Sequence, residues 1–84
     1  MIYRGKIKIN SLNAVKDFVA ICNEYNSNVS ITIFSGRYVI DAKSIMGLFS
    51  IDVTQILNIE IEAELEDIVL EIKDRLSSYI VNDG

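Results

Sequence analysis

Polar and apolar residues alternate in Lys6-Ile7-Lys8-Ile9, the period of two that gives a strand one buried face. A short first strand is predicted there. Asn10, Ser11 and Asn13 follow, each with a side-chain oxygen able to cap a helix start, and Val15, Phe18, Val19, Cys22 and Tyr25 then fall at helical spacing. This helix should stop by Asn26 or Asn28. Val29, Ile31 and Ile33 alternate with Ser30 and Thr32 as a second strand, and Ser35-Gly36 supplies a turn into a third at Arg37-Tyr38-Val39-Ile40. Ser44 precedes the apolar run Ile45-Met46-Gly47-Leu48-Phe49, enough for one or two helical turns, with Gly47 discouraging a longer helix. After a loop through Asp52 and Thr54 comes the clearest strand: Leu57, Ile59, Ile61 and Ala63 alternate with Asn58, Glu60, Glu62 and Glu64. Leu65, Ile68, Val69, Ile72, Leu76, Tyr79 and Ile80 then mark one stripe of a final helix, acidic at its start and basic at Lys73 and Arg75, as the helix dipole favours.

The element order is βαββαβα. One apolar stripe per helix and one apolar face per strand are satisfied together by an α+β, open-faced two-layer sandwich: a four-stranded antiparallel sheet with the helices packed on one face. Its 84 residues suit a single domain, 1–84, with no linker or repeat.

Composition narrows the chemistry. Twelve acidic residues against eight basic ones leave a net charge of −4, which repels nucleic-acid backbones and anionic membranes, so neither is an expected partner. The amino terminus has no apolar signal core and no stretch is long enough to span a bilayer, so a cytoplasmic location is expected. Cys22, on the apolar face of its helix, reads as a buried side chain rather than a reactive thiol. With no histidine in the chain, imidazole-based phosphotransfer, nucleophile activation and metal ligation are excluded. Glu60, Glu62 and Glu64 share a strand face but read as solvated carboxylates, since oxygen ligands for a cation normally converge from several segments. The four glycines are scattered and form no phosphate loop. No metal or cofactor is implied. A non-enzymatic, monomeric interaction domain is expected.

The segment from Ser35 to Ser50 resembles the middle of HPr, the histidine-containing phosphocarrier of the bacterial sugar phosphotransferase system. Lys43-Ser44-Ile45-Met46-Gly47 looks like that family's regulatory serine motif, between the third strand and the short second helix. The resemblance extends over nearly the whole chain, because the element order is the family's and Phe18, Val19, Cys22 and Tyr25 fit its first helix. It implies the HPr-like sandwich, and a phosphorylated histidine at the start of the first helix in a pattern like Leu-His-Ala-Arg-Pro. Anchoring on Leu12-Asn13-Ala14 puts Asn13 in the histidine's place, Val15 in the arginine's and Lys16 in the proline's. Anchoring on Phe18 and Tyr25 instead puts Ser11 near it. Under either alignment the nucleophile, arginine and proline are absent, and an amide cannot accept and return a phosphoryl group.

Ser44 retains matching chemistry. In HPr relatives of low-GC Gram-positive bacteria the corresponding serine is phosphorylated by a dedicated HPr serine kinase, and the product acts as a corepressor for a catabolite-control regulator. The resemblance therefore implies a regulatory phosphoserine at Ser44, which also caps its helix, with Lys43 partly compensating the phosphate charge. Of Ile45, Met46, Leu48 and Phe49, some must face the core and others form a partner-binding patch. Ile45, Met46 and Phe49 are expected in that patch, with Arg37, Tyr38 and Lys43 around it. The expected function is an HPr-like regulatory or adaptor module of sugar transport and carbon catabolite regulation, without histidine phosphocarrier capacity. The alternatives are a conventional phosphoryl-relay component and a purely structural interaction domain.

Overall fold

The computed structural model describes residues 1–81. The elements run β1 (Ile2–Ile7), α1 (Leu12–Cys22), β2 (Ser30–Ser35), β3 (Tyr38–Asp41), α2 (Ile45–Phe49), β4 (Leu57–Glu62) and α3 (Glu66–Arg75). The strands form one sheet in the order β1-β4-β2-β3, every neighbouring pair antiparallel. The fold is α+β, a four-stranded antiparallel sheet with three helices.

Register follows from the alternation of side chains. Ile59 lies opposite Gly5 on one side and Ile33 on the other, Ile61 lies between Tyr3 and Ile31, and Ile33 in turn faces Ile40, which brings the apolar positions of four strands onto one face. There Ile7, Ile31, Ile33, Leu57, Ile59 and Ile61 meet Val15, Phe18, Cys22, Val69 and Ile72 from the helices, and Leu76 just past α3, in one core cluster. No polar or charged residue is buried among those described. The opposite face carries Arg4, Asn58, Glu60 and Thr32 in adjacent positions, and the Arg4–Glu60 ion pair at 3.0 Å closes one row of it.

Beyond shifts of one or two residues in β2 (Ser30–Ser35) and β3 (Tyr38–Asp41), four elements have boundaries that differ from the sequence reading. β1 starts at Ile2 and ends at Ile7, earlier than Lys6–Ile9, because Tyr3 and Gly5 also occupy its inner face. The Tyr3 ring covers Gly5 so closely that a Cβ there would collide with Tyr3 Oη. α1 stops at Cys22 rather than near Asn26; Asn23 keeps a helical backbone and its side-chain amide donates back to the Val19 carbonyl, and the chain then tightens into i→i−3 turns, Glu24 N–H to Ile21 O and Tyr25 N–H to Cys22 O. β4 ends at Glu62, leaving Glu64 outside the strand that was to align it with Glu60 and Glu62. α3 ends at Arg75; Tyr79 and Ile80 lie beyond it, where Lys8 N–H donates to Tyr79 O (2.9 Å), Val81 N–H to Lys6 O (2.8 Å), and Ile80 bridges Ile7.

The hairpin between β2 and β3 turns on two residues, Gly36 and Arg37, with Ser35 opposite Tyr38. Gly36 has φ +58°, the left-handed conformation that a two-residue hairpin loop requires at its first central position and that glycine adopts without steric cost.

Candidate functional site

Three residues carry the chain from β3 to α2. Asp41 accepts the Lys43 N–H on Oδ1 (2.9 Å) and the Ser44 N–H on its backbone carbonyl (2.9 Å), a side-chain-supported turn that aims the chain into the helix. Ser44 is the N-cap of α2: its backbone is extended (φ −99°, ψ 103°), its Oγ accepts the Gly47 N–H at 3.1 Å and its carbonyl accepts the Leu48 N–H. The residue is exposed to solvent.

Within the five residues of α2, only Leu48 is fully buried. Ile45 is half-buried and packs against the core, whereas Met46 is 74 % exposed and Phe49 40 %. The short helix thus turns Leu48 inward and presents Met46 and Phe49 to solvent beside the cap. Gly47, read from sequence only as a helix breaker, has a packing reason. A Cβ there would lie 2.9 Å from Ile40 Cγ2 and 3.1 Å from Ser44 Oγ, so its absence lets α2 approach β3.

Lys43 does something the sequence did not suggest. Its ammonium donates to the carbonyls of Asn26 (2.8 Å) and Val29 (2.9 Å), fastening the turn between α1 and β2. Its charge is therefore spent on that turn rather than held ready for a phosphate on Ser44. Asn23 completes the attachment, since its amide donates to Lys43 O as well as to Val19 O, both at 3.0 Å. Asn23 was missed as a positioning residue; an amide directly after the last buried helical position is the signal that could have found it. Arg37 is exposed in the hairpin turn, with β3 separating it from Ser44 along the chain. Tyr38, at the start of β3, is 63 % exposed.

At the start of α1, Asn10 takes the left-handed conformation (φ 77°) and Ser11 becomes the N-cap, its Oγ accepting the Ala14 N–H at 3.1 Å. Of the two candidates for the family's phosphoacceptor position, Ser11 occupies the helix start and Asn13 lies exposed in the first turn. Val15 is wholly buried in the core, so it offers nothing to a ligand at the surface. α1 and α2 pack against each other.

The fold and these two serine-capped helix starts define an open-faced βαββαβα sandwich with exposed caps. A family model for the HPr component phosphorylation site of the phosphotransferase system matches residues 11–79, and the chain belongs to the HPr family. Members of this family are phosphocarrier proteins that work with other proteins of the phosphotransferase system. A phosphocarrier protein HPr from Bacillus anthracis str. Ames has a similar structure, with a TM-score of 0.71 and 21 % identity over 95 % of this chain and 98 % of that one. HPr-C-His from Thermoanaerobacter tengcongensis is similar at a TM-score of 0.64 and 22 % identity, over 90 % of this chain and 89 % of that one. At such identities the likeness is one of fold. No curated protein matches the chain.

Proposed function

We propose that this chain is an HPr-family member without histidine phosphocarrier capacity, acting as a regulatory or adaptor module through the surface around Ser44. One observation carries the reading: the sequence contains no histidine, while the Ser44 hydroxyl is exposed at the head of α2 beside the outward-facing Met46 and Phe49. A phosphoryl relay needs a nucleophile that both accepts and returns the group. Neither the amide of Asn13 nor the capping hydroxyl of Ser11 has a neighbouring imidazole to activate it. A phosphate on Ser44 adds about two negative charges to the cap and changes what Met46 and Phe49 can dock against. In this reading residues 1–84 form one non-enzymatic, cytoplasmic domain that binds an HPr-type serine kinase and a catabolite-control regulator. The net charge of −4 supports protein partners over nucleic acid or anionic membranes.

Incubation with ATP and an HPr serine kinase is expected to label the protein, and Ser44→Ala to abolish the label. Phosphoenolpyruvate with enzyme I is expected to leave no acid-labile phosphate. Changing Met46 and Phe49 together to Asp should weaken binding of the phosphorylated protein to the regulator by at least about tenfold without lowering the urea midpoint, because neither side chain is in the core. A phosphoramidate on this chain, phosphate on the alanine variant, or unchanged binding by the double variant would each overturn its part of the reading.

A further inference from the structure

The two edges of the sheet are finished differently. β1 is covered along part of its outer edge by Tyr79–Val81, whereas no strand lies beyond β3 among the described residues. Which backbone groups β3 leaves open follows from its register. Ala42 N–H donates to Ile31 O (2.9 Å), so residues 31 and 42 form a hydrogen-bonded pair, and by alternation so do 33 with 40 and 35 with 38. The N–H and C=O of Val39 and Asp41 therefore point away from β2; the Asp41 carbonyl is already taken by the Ser44 N–H, which leaves Val39 as the residue with both groups open among the described residues. β3 is guarded only by its shortness, four residues; Tyr38–Asp41 contains neither the proline nor the lysine that commonly protects an edge, and it pairs with β2 without a bulge. Val39 is 68 % exposed and Tyr38 63 %.

The side chains along this edge complement a second copy of themselves. Antiparallel pairing of β3 with β3 of another molecule, centred on Val39, sets Val39 against Val39, Tyr38 against Ile40, and Arg37 against Asp41. Each unlike pair occurs twice about the two-fold axis. The centre falls on a residue whose N–H and C=O both face outward, which is the hydrogen-bonding pattern such a pair needs. Arg37 and Asp41 are both exposed, and the Arg37 guanidinium takes no partner among the described residues. Asp41 uses Oδ1 for the Lys43 N–H and keeps its second oxygen. We propose that the protein self-associates through the β3 edge into a two-fold dimer with a continuous eight-stranded sheet, held by Val39 backbone bonds and two Arg37–Asp41 ion pairs. This replaces the monomer expected from sequence, and it stands independently of any role for Ser44. A four-residue edge offers little area to bury, and stable complexes exceed roughly 1,000 Å², so the dimer forms reversibly at high protein concentration.

Sedimentation equilibrium of the full chain from micromolar to millimolar concentration is expected to show a monomer–dimer equilibrium, with the amide exchange of Val39 slowing as concentration rises. Arg37→Asp should weaken association by about tenfold or more, since it sets like charges opposite each other twice, and Asp41→Arg in the same chain should restore it. Val39→Pro removes an outward N–H that the β2–β3 ladder does not use, and should abolish the dimer while leaving the urea midpoint nearly unchanged. If the proline variant does not fold, the charge swap alone decides. A protein that stays monomeric at millimolar concentration overturns the proposal. So does a dimer indifferent to Arg37→Asp, or one that the reciprocal swap fails to restore.

Discussion

Cys22 ends α1 on its buried side and is inaccessible to solvent. Removal from water disfavours the thiolate, and this outweighs the attraction of Lys43 and Arg75, so its pKa is pushed from 9.0 up to about 12. The thiolate is the reactive species, which makes the folded protein inert to thiol reagents below pH 9.0. Linkage gives a second consequence. Above pH 9.0 the unfolded chain loses the thiol proton while the folded chain keeps it, so stability is complete below 9.0 and declines as pH rises toward about 12. Burial raises Tyr25 and Tyr79 as well, in the same direction. The urea midpoint is therefore expected to fall across this window, and to fall less steeply in Cys22→Ala. Equal slopes in the two proteins, or rapid labelling of the folded wild type, would contradict this account.

At the scale of elements, the turn after α1 is tied to α3 by a small polar cluster. Tyr25 Oη donates to Glu71 Oε1 (2.6 Å) and accepts from Arg75 Nη1 (3.2 Å), while Arg75 Nη2 also donates to Glu24. The guanidinium carbon lies 5.7 Å from the Tyr25 ring centroid. Deleting one hydroxyl removes both of its bonds yet leaves the ring in place, so Tyr25→Phe should cost about 1 kcal/mol by chemical denaturation. A loss too small to measure would show the cluster to be passive. Tyr25 also illustrates what was legible before folding. Its spacing from Cys22 and Phe18 correctly implied apolar contact, but it packs from beyond the helix, in the i→i−3 turn that its N–H closes on the Cys22 carbonyl. The strands β2 and β4 were readable because Ile31, Ile33, Ile59 and Ile61 alternate cleanly with polar residues, and β3 because Ser35-Gly36 marks a turn into it. The first half of β1 was not, since Gly5 resembles a break until Tyr3 is seen to cover it. Ser44 as a cap could be read from its place before an apolar run. The work of Lys43 could not, because its acceptors, Asn26 and Val29, are backbone carbonyls set by tertiary packing.

For the molecule as a whole, the closing contact is between the two ends of the described chain. Tyr79–Val81 adds a short antiparallel piece to the outer edge of β1, and the Tyr79 ring meets Phe18 edge-on at 5.3 Å, with the rings 86° apart. Phe18 is the largest fully buried side chain, so one residue beyond α3 reaches the centre of the core that α1 and the sheet share. Folding stability at about 0.05–0.15 kcal/mol per residue amounts to roughly 4–12 kcal/mol for a chain this small, and a single lost aromatic contact is a sizeable fraction of it. Tyr79 is itself half-buried, which places its truncation below the cost of removing a fully buried ring. Tyr79→Ala is expected to destabilise the protein by about 2–3 kcal/mol, through lost packing on Phe18. Tyr79→Phe should cost under about 1 kcal/mol, because the ring stays and the hydroxyl is not needed for that packing. Val81→Pro tests the backbone half separately, since it removes the N–H donated to Lys6 O and leaves the ring untouched. Urea denaturation of the three variants separates the contributions. If Tyr79→Ala unfolds at the wild-type midpoint, the segment after α3 merely lies along β1 and the core is complete without it.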